Sequence, residues 1–93
     1  MLRENSADFR FYGNLNVFFP AGQCQGTIHY RFHGHPAIKD PIEAQGVSHT
    51  EVELIIVNAQ PVGFDYPLMD GDRVAVYPVF AKLDISPLLA LLQ

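Results

Sequence analysis

The sequence has few of the features that accompany secretion, membrane insertion or nucleic-acid binding. Cys24 is its single cysteine, so an intrachain disulfide is excluded. No apolar run approaches the ~20 residues of a membrane helix, and the start MLRENSA lacks the apolar segment of a signal peptide. We therefore expect a cytoplasmic protein without membrane contact. The formal net charge of -4 disfavours a dominant nucleic-acid role but leaves room for a local basic patch.

Residue patterns for catalysis and for cofactor binding are also missing. No nucleophile–base pair, phosphate loop or cage of metal ligands occurs in the sequence. His33 and His35, with His29 nearby, are metal-binding residue types, but Arg31 shares the face of His29 and His33 and repels a cation. Cys24 has no histidine or aspartate motif beside it. We predict no catalytic, cofactor or metal site, and therefore a protein that is not an enzyme.

The chain has 93 residues, which fits one domain. Its strands are predicted from the alternation of apolar and polar residues and from runs of β-branched residues. Asp70-Gly71-Asp72 is a tight-turn signal ahead of the last strand. Pro67 and Pro78 indicate edge positions or exits from the ladder. The predicted strands cover residues 8–12, 25–33, 53–57 and 73–79, and residues 62–66 are predicted to form a short fourth strand or an extended segment.

A short helix is predicted at about residues 38–45, with two possible starts. In the first, Asp40 is the N-cap, Pro41 takes the first helical position and Glu43 closes a capping box. In the second, the helix starts near Ala37 and Pro41 disturbs its first turn. The sequence leaves both starts open.

The order β-β-α-β-β-β predicts an α+β fold, the β-grasp (ubiquitin-like) arrangement of about five strands in a mixed sheet on one short helix. Its first and last strands lie side by side and parallel at the centre. Gly46 is predicted to stop the helix, and Ile42 and Val47 to pack inward. The predicted division is a disordered N-terminus at residues 1–7, the domain at residues 8–82, and a linker or docking tail at residues 83–93.

Polar side chains are predicted to gather on the sheet face away from the helix. That face is open to three interpretations: a solvated surface, a docking surface with Tyr and Arg anchors, or a surface that stacks bases and contacts phosphates. Residues 54–57 are apolar on both faces, so one pair lies there as an extended core or as an exposed patch. The candidate contacts for a partner protein or RNA are Arg10, Tyr12, His29, Arg31, Arg73 and Tyr77.

Two further groups of residues have predicted roles. The acidic residues of turns and edges are interpreted as solubilising charges, and they are Asp70, Asp72, Asp65 and Glu53. The apolar tail has no polar face, and we expect it to seek a downstream domain or a second copy of the chain. Self-association would use Leu88, Leu89, Leu91 and Leu92.

Five motifs resemble one family when they are taken in order. They are FRFYG at 9–13, KDPIEAQGV at 39–47, HTEV at 49–52, VNAQPV at 57–62 and DGDRVAVYPVF at 70–80. Together they resemble, over about residues 8–86, the ubiquitin-like domain placed ahead of the Mut-seven C-terminal (PIN-like) RNase domain. The resemblance implies a non-catalytic accessory domain of an RNA-processing protein, with a downstream or separate RNase-like domain as partner and protein or RNA contact as its mode of action.

More distantly, the pattern is similar to the sulfur carriers of thiamine and molybdopterin synthesis. That resemblance implies an alternative, a degenerate or processed sulfur carrier. Such carriers work through a flexible terminal Gly-Gly, whereas no glycine follows Gly71 in this sequence.

Overall fold

One mixed sheet and one short helix make up the fold in the computed structural model, which describes residues 3–13, 15 and 26–79. The elements in chain order are β1 (Glu4–Phe11), β2 (Ile28–His33), α1 (Lys39–Ala44), a 3-10 turn (His49–Glu51), β3 (Val52–Val57), β4 (Gln60–Val62) and β5 (Arg73–Pro78). Cys24 and the predicted tail at residues 83–93 lie outside the described residues. Within the described part, no helix is long and apolar enough to cross a membrane.

The sheet has the strand order β2-β1-β5-β3-β4. Strand β1 runs parallel to β5 and antiparallel to β2, while β3 is antiparallel to both β5 and β4. The parallel pair at the centre, with Asp8 opposite Arg73 and Phe11 opposite Val76, follows from the crossover through α1. The predicted β-grasp fold is confirmed.

The core lies between the sheet and α1. Ile38 and Ile42 from the helix region are fully buried, and Val47 packs beside them. The predicted inward packing of Ile42 and Val47 is therefore confirmed. From the sheet, the alternate side chains that join this cluster are Ala7, Phe9, Phe11, Phe32, Ile55, Val57, Val74 and Val76. The other alternate side chains of each strand face away from the helix.

Helix α1 starts without a side-chain cap. Its N-cap residue is Ile38, so the predicted capping box with Asp40 as N-cap is wrong, and the second alternative is nearer. Pro41 is the third helical residue and does not disturb the first turn, because amides there have no partner within the helix. Backbone carbonyls of the loop after β4 satisfy two other amides: Ile38 N donates to Tyr66 O at 2.8 Å, and Lys39 N donates to Phe64 O at 3.2 Å.

The helix ends where the sequence predicts. Gly46 has a φ of 100°, a conformation that glycine adopts without steric cost. Its amide donates to Glu43 O at 3.0 Å, and the Val47 amide donates to Ile42 O at 3.4 Å. These two hydrogen bonds form a Schellman motif, in which Ile42 and Val47 supply the accompanying apolar contact.

Strand β1 begins at Glu4, four residues before the predicted start at residue 8. Residues 4–7 of the predicted disordered N-terminus therefore lie in the sheet. The turn before β5 holds this first part of β1 in place through two hydrogen bonds. Ser6 N donates to Asp70 Oδ1 at 2.8 Å, and Gly71 N donates to Ser6 O at 2.7 Å. The sequence Glu-Asn-Ser-Ala hides this strand because its inward side chains are a small alanine and the amide of Asn5.

Of the two interpretations of residues 62–66, the short fourth strand is wrong in position. The strand is Gln60–Val62, joined to β3 by the two-residue turn Asn58-Ala59. Asn58 and Ala59 have φ values of 50° and 72°, which makes this a type I′ hairpin that matches the twist of its strands. Pro61 is accommodated because β4 is an edge strand.

Candidate docking face

The sheet face away from α1 is called the open face here, and alternation decides which side chains lie on it. In β3 a register shift between Val52 and Leu54 turns Leu54 and Ile56 outward while Ile55 and Val57 stay buried. The predicted apolar pair facing away from the helix is thus an exposed patch. All six predicted contact residues lie on this face: Arg10, Tyr12, His29, Arg31, Arg73 and Tyr77. Their role as partner contacts stays a prediction.

The charges of the open face are neutralised on the side of β2. His29 Nδ1 lies 2.5 Å from Asp8 Oδ1, across the β1–β2 pair. Arg31 Nη1 lies 3.8 Å from Glu4 Oε1. We name this part of the open face, formed by β2 and the facing side chains of β1, the β2 half. Arg31 and His29 each have an acidic neighbour here, so this half offers little net positive charge to a partner.

The opposite part of the open face carries two arginines that have no acidic partner in the described part of the chain. Among the described residues, neither Arg10 nor Arg73 forms an ion pair. The Tyr12 and Tyr77 rings stack with their centroids 4.7 Å apart and an interplanar angle of 6°. The Arg10 guanidinium carbon lies 6.0 Å from the Tyr12 centroid, within range of a cation–π contact. This part, the β5 half, is formed by Arg10, Tyr12, Leu54, Ile56, Arg73, Ala75 and Tyr77.

Apolar side chains continue across the β5 half between the arginines and the edge of the sheet. Leu54 pairs with Tyr77, and Ile56 pairs with Ala75, on neighbouring strands. Leu54 is 38% exposed and Tyr12 is 37% exposed, and both are large apolar side chains. The β5 half therefore combines accessible apolar and aromatic surface with positive charge.

A shallow depression of about 800 Å³ lies on the β5 half and opens to solvent. Arg10 and Arg73 line it together with Tyr12, Ile56 and Ala75. The Asp8 carboxylate also lines it, but that group already contacts His29. The six predicted residues therefore separate into two groups: Arg10, Tyr12, Arg73 and Tyr77 gather in the β5 half, whereas His29 and Arg31 lie in the β2 half.

Asp72 is a buried carboxylate, not the solubilising turn charge that the sequence predicted. Its side chain is 5% exposed. It accepts hydrogen bonds from Asn58 Nδ2, the Tyr66 hydroxyl and the Met69 amide, each at 2.9 Å. Burial, followed by the hydrogen bond to this carboxylate, raises the pKa of Tyr66. The role of Asp72 is structural, because Asn58 belongs to the turn between β3 and β4, while Tyr66 and Met69 belong to the loop between β4 and β5.

The histidines have separate partners and do not converge. His33 Nδ1 lies 3.2 Å from Arg3 O, and His35 Nδ1 lies 3.1 Å from Leu68 O. His49, on the helix side of the sheet, lies 2.6 Å from Glu43 Oε2 through Nδ1, and this hydrogen bond lowers the pKa of Glu43. No group of three His, Cys, Asp or Glu side chains within the described ranges has a geometry that would hold a metal ion.

The five-stranded mixed sheet, its parallel central pair and the short helix on one face define a ubiquitin-like β-grasp domain. The family profile described as Mut7-C ubiquitin matches residues 4–84. The chain belongs to the Mut7-C ubiquitin family. None of the curated proteins matches the sequence significantly.

Solved structures share the fold at low sequence identity. The Haloferax volcanii HVO 2177 protein is similar, with a TM-score of 0.62, 20% identity, and coverage of 81% of this chain and 83% of that one. The small archaeal modifier protein 1 of H. volcanii has a TM-score of 0.60 at 15% identity, covering 80% and 97%. A putative molybdopterin converting factor, subunit 1, from Pyrococcus furiosus has a TM-score of 0.59 at 22% identity, covering 80% and 97%. These likenesses concern the fold.

Proposed function

We propose that this chain is a non-catalytic accessory domain of an RNase-type RNA-processing protein and that it docks a partner protein through the β5 half of the open face. The RNase-type domain of Mut7-C proteins is the proposed partner, within the same polypeptide or separate from it. The observation that carries the proposal is the combination, on one accessible surface, of stacked tyrosines, exposed Leu54 and two arginines that form no ion pair with any described residue.

The composition of the β5 half favours protein contact. Tyrosine and arginine are the residue types that most often dominate the energy of protein interfaces, and they act best beside apolar surface that excludes water. The described residues supply both kinds of surface within neighbouring strands. The β2 half lacks the apolar component, and its charges are paired, so it contributes the rim of the proposed interface.

RNA contact is the less favoured mode of action. Each stacked tyrosine covers one ring face of the other, which leaves less aromatic surface for a base. The net charge of -4 opposes the approach of a polyanion. These features support the protein-docking proposal over RNA binding on the same surface.

Titration calorimetry with a separately expressed Mut7-C RNase domain tests the proposal. We expect binding that Leu54→Ser weakens by about tenfold, because the substitution removes an exposed apolar anchor. Met69→Ser is the matched control, since Met69 is 43% exposed but lies outside the β5 half, beside Arg3 and His35. Equal affinity of both variants and the unmodified chain would contradict docking at the β5 half, as would the absence of binding.

The second candidate is a degenerate or processed sulfur carrier, and the likeness of the fold to the putative molybdopterin converting factor subunit favours it. Intact-mass spectrometry after incubation with a sulfur-carrier-activating enzyme, ATP and a sulfur donor distinguishes the two functions. We expect the mass to stay unchanged. An acyl-adenylate or a thiocarboxylate on a trimmed terminus would favour the carrier and overturn our choice.

A further inference from the structure

We infer that the depression between Arg10 and Arg73 is a carboxylate-binding subsite for an extended acidic segment of the partner protein, in which an Asp or Glu alternates with apolar side chains. The inference rests on the proposed docking function and adds the chemistry of the docked segment. It assigns the two arginines to the acidic group and the strip of Leu54, Ile56 and Tyr77 to the apolar side chains.

The side chains that line the depression carry more positive than negative charge. Arg10 and Arg73 line it, and neither has an ion pair among the described residues. Asp8 is the one acidic side chain in the lining, and its Oδ1 is engaged by His29 Nδ1 at 2.5 Å. Guanidinium groups donate several hydrogen bonds in a planar fork that matches a carboxylate. An incoming carboxylate therefore meets two guanidinium groups that no described acidic side chain pairs with, on an accessible surface.

The apolar strip adjoins the charged subsite in the direction across the strands. Ala75 lies opposite both Arg10 in β1 and Ile56 in β3, so it separates the arginine from the apolar side chains. Leu54 and Tyr77 form the next pair along the same strands. A partner in extended conformation presents alternate side chains to one surface. An acidic residue followed two positions later by an apolar residue thus matches the charged subsite and the strip.

A single carboxylate suits this site better than the phosphate backbone of RNA. The two arginines occupy the end of the sheet face where β5 begins, whereas in the β2 half Arg31 is paired with Glu4 and His29 contacts Asp8. A polyanion needs a positive path along its length, whereas the described open face offers one positive patch. The acidic segment of a protein is therefore the occupant that the charge distribution selects.

The test uses the full chain and the Mut7-C RNase domain, with binding measured for three variants. We expect the double variant Arg10→Gln/Arg73→Gln to lose about tenfold in affinity at low salt, since its charged donors are removed. Arg31→Gln, which removes an arginine already paired with Glu4, should stay within about twofold of the unmodified chain. Leu54→Ser tests docking at the β5 half, whereas the double arginine variant tests the carboxylate subsite. The failure of one proposal can therefore be distinguished from the failure of the other.

A second measurement identifies the class of ligand. The probes are the blocked peptide acetyl-LELELEL-amide, its glutamine counterpart acetyl-LQLQLQL-amide and a hexauridine RNA, each titrated while amide chemical shifts are recorded. We expect the acidic peptide to shift Arg10, Arg73 and Ala75 and the other probes to leave them unchanged. Equal shifts with the glutamine peptide, or larger shifts with hexauridine, would overturn the inference. The inference would also be overturned if Leu54→Ser weakened binding and the double arginine variant did not. In that case docking at the β5 half would still hold.

Discussion

The Tyr66 hydroxyl donates a hydrogen bond to Asp72 Oδ2 over 2.9 Å. This contact joins the loop after β4 to the residue immediately before β5. Asn58 adds a second connection, because its Nδ2 donates to Asp72 Oδ1 while its own Oδ1 accepts from the Arg73 amide at 3.0 Å. Asp72 thus fixes the turn between β3 and β4 and the start of β5, and β5 carries three of the residues of the proposed docking surface.

Asp72→Ala is expected to lower the free energy of unfolding by about 2–3 kcal/mol, because it removes the acceptor of three partly buried hydrogen bonds. Urea denaturation followed by circular dichroism measures the change. Asp65→Asn is the matched control: Asp65 is an exposed acidic residue of the same loop, and we expect a loss below about 0.5 kcal/mol. Similar losses for both variants would contradict a structural role of the buried carboxylate.

Tyr66 gives the fold a predicted sensitivity to alkaline pH. The pKa of its hydroxyl is raised in the folded state from a reference value of 10.0, mainly by burial and next by Asp72. The unfolded chain therefore releases this proton first, and stability falls as pH rises above about 10. Urea midpoints measured between pH 8 and 11 should fall less steeply for Tyr66→Phe than for the unmodified chain. An identical slope would show that Tyr66 does not contribute.

Glu43 gives the corresponding sensitivity to acid. The hydrogen bond from His49 holds the pKa of Glu43 below the reference value of 4.5. The unfolded chain therefore binds this proton first, and the stabilisation from Glu43 is lost as pH falls below about 4.5 through the folded-state pKa. The urea midpoint of Glu43→Gln should depend less on pH between 5 and 3. Glu53→Gln, at an exposed position of β3, should keep the slope of the unmodified chain.

Ala59→Gly is expected to stabilise the protein. Ala59 has a φ of 72° in the type I′ turn, a conformation that is strained for alanine and free of strain for glycine. The expected gain is about 0.5–1 kcal/mol in the free energy of unfolding, because relief of strain exceeds the extra chain entropy of glycine. The same substitution in helix α1, Ala44→Gly, should instead cost about 0.5–1 kcal/mol. A loss at both positions would contradict the positive φ.

The sequence predicted the parts of the fold that depend on local patterns. The alternation of Phe9 and Phe11, and that of Val74 and Val76, is enough to predict the two strands of the central parallel pair. Gly46 is enough to predict where the helix ends. The start of β1 was not predictable, because Ser6 is held by Asp70 from a turn 64 residues away. The position of β4 was missed because an Asn-Ala pair carries a weaker type I′ signal than Asn-Gly.

The sequence predicts which residues share the open face, but not which of them pair with one another. Alternation assigned Arg10, Arg31 and Arg73 to one face. It did not reveal that Arg31 is paired with Glu4, since Glu4 was expected to lie outside the sheet. Nor did it reveal that Asp72 is buried, because that burial depends on how the loop before β5 folds back over the turn. Ion pairs and loop contacts between distant residues decide which arginines remain available.

The most direct test of docking through the β5 half is a chemical-shift map of the full chain as the Mut7-C RNase domain is added. Docking there predicts that the amide signals of the β5 half shift, with Leu54, Ala75 and Tyr77 among the most affected, while those of helix α1 change little. Shifts confined to α1 and the turn around His49, or no shifts with the RNase domain in excess, would contradict docking through the β5 half of the open face.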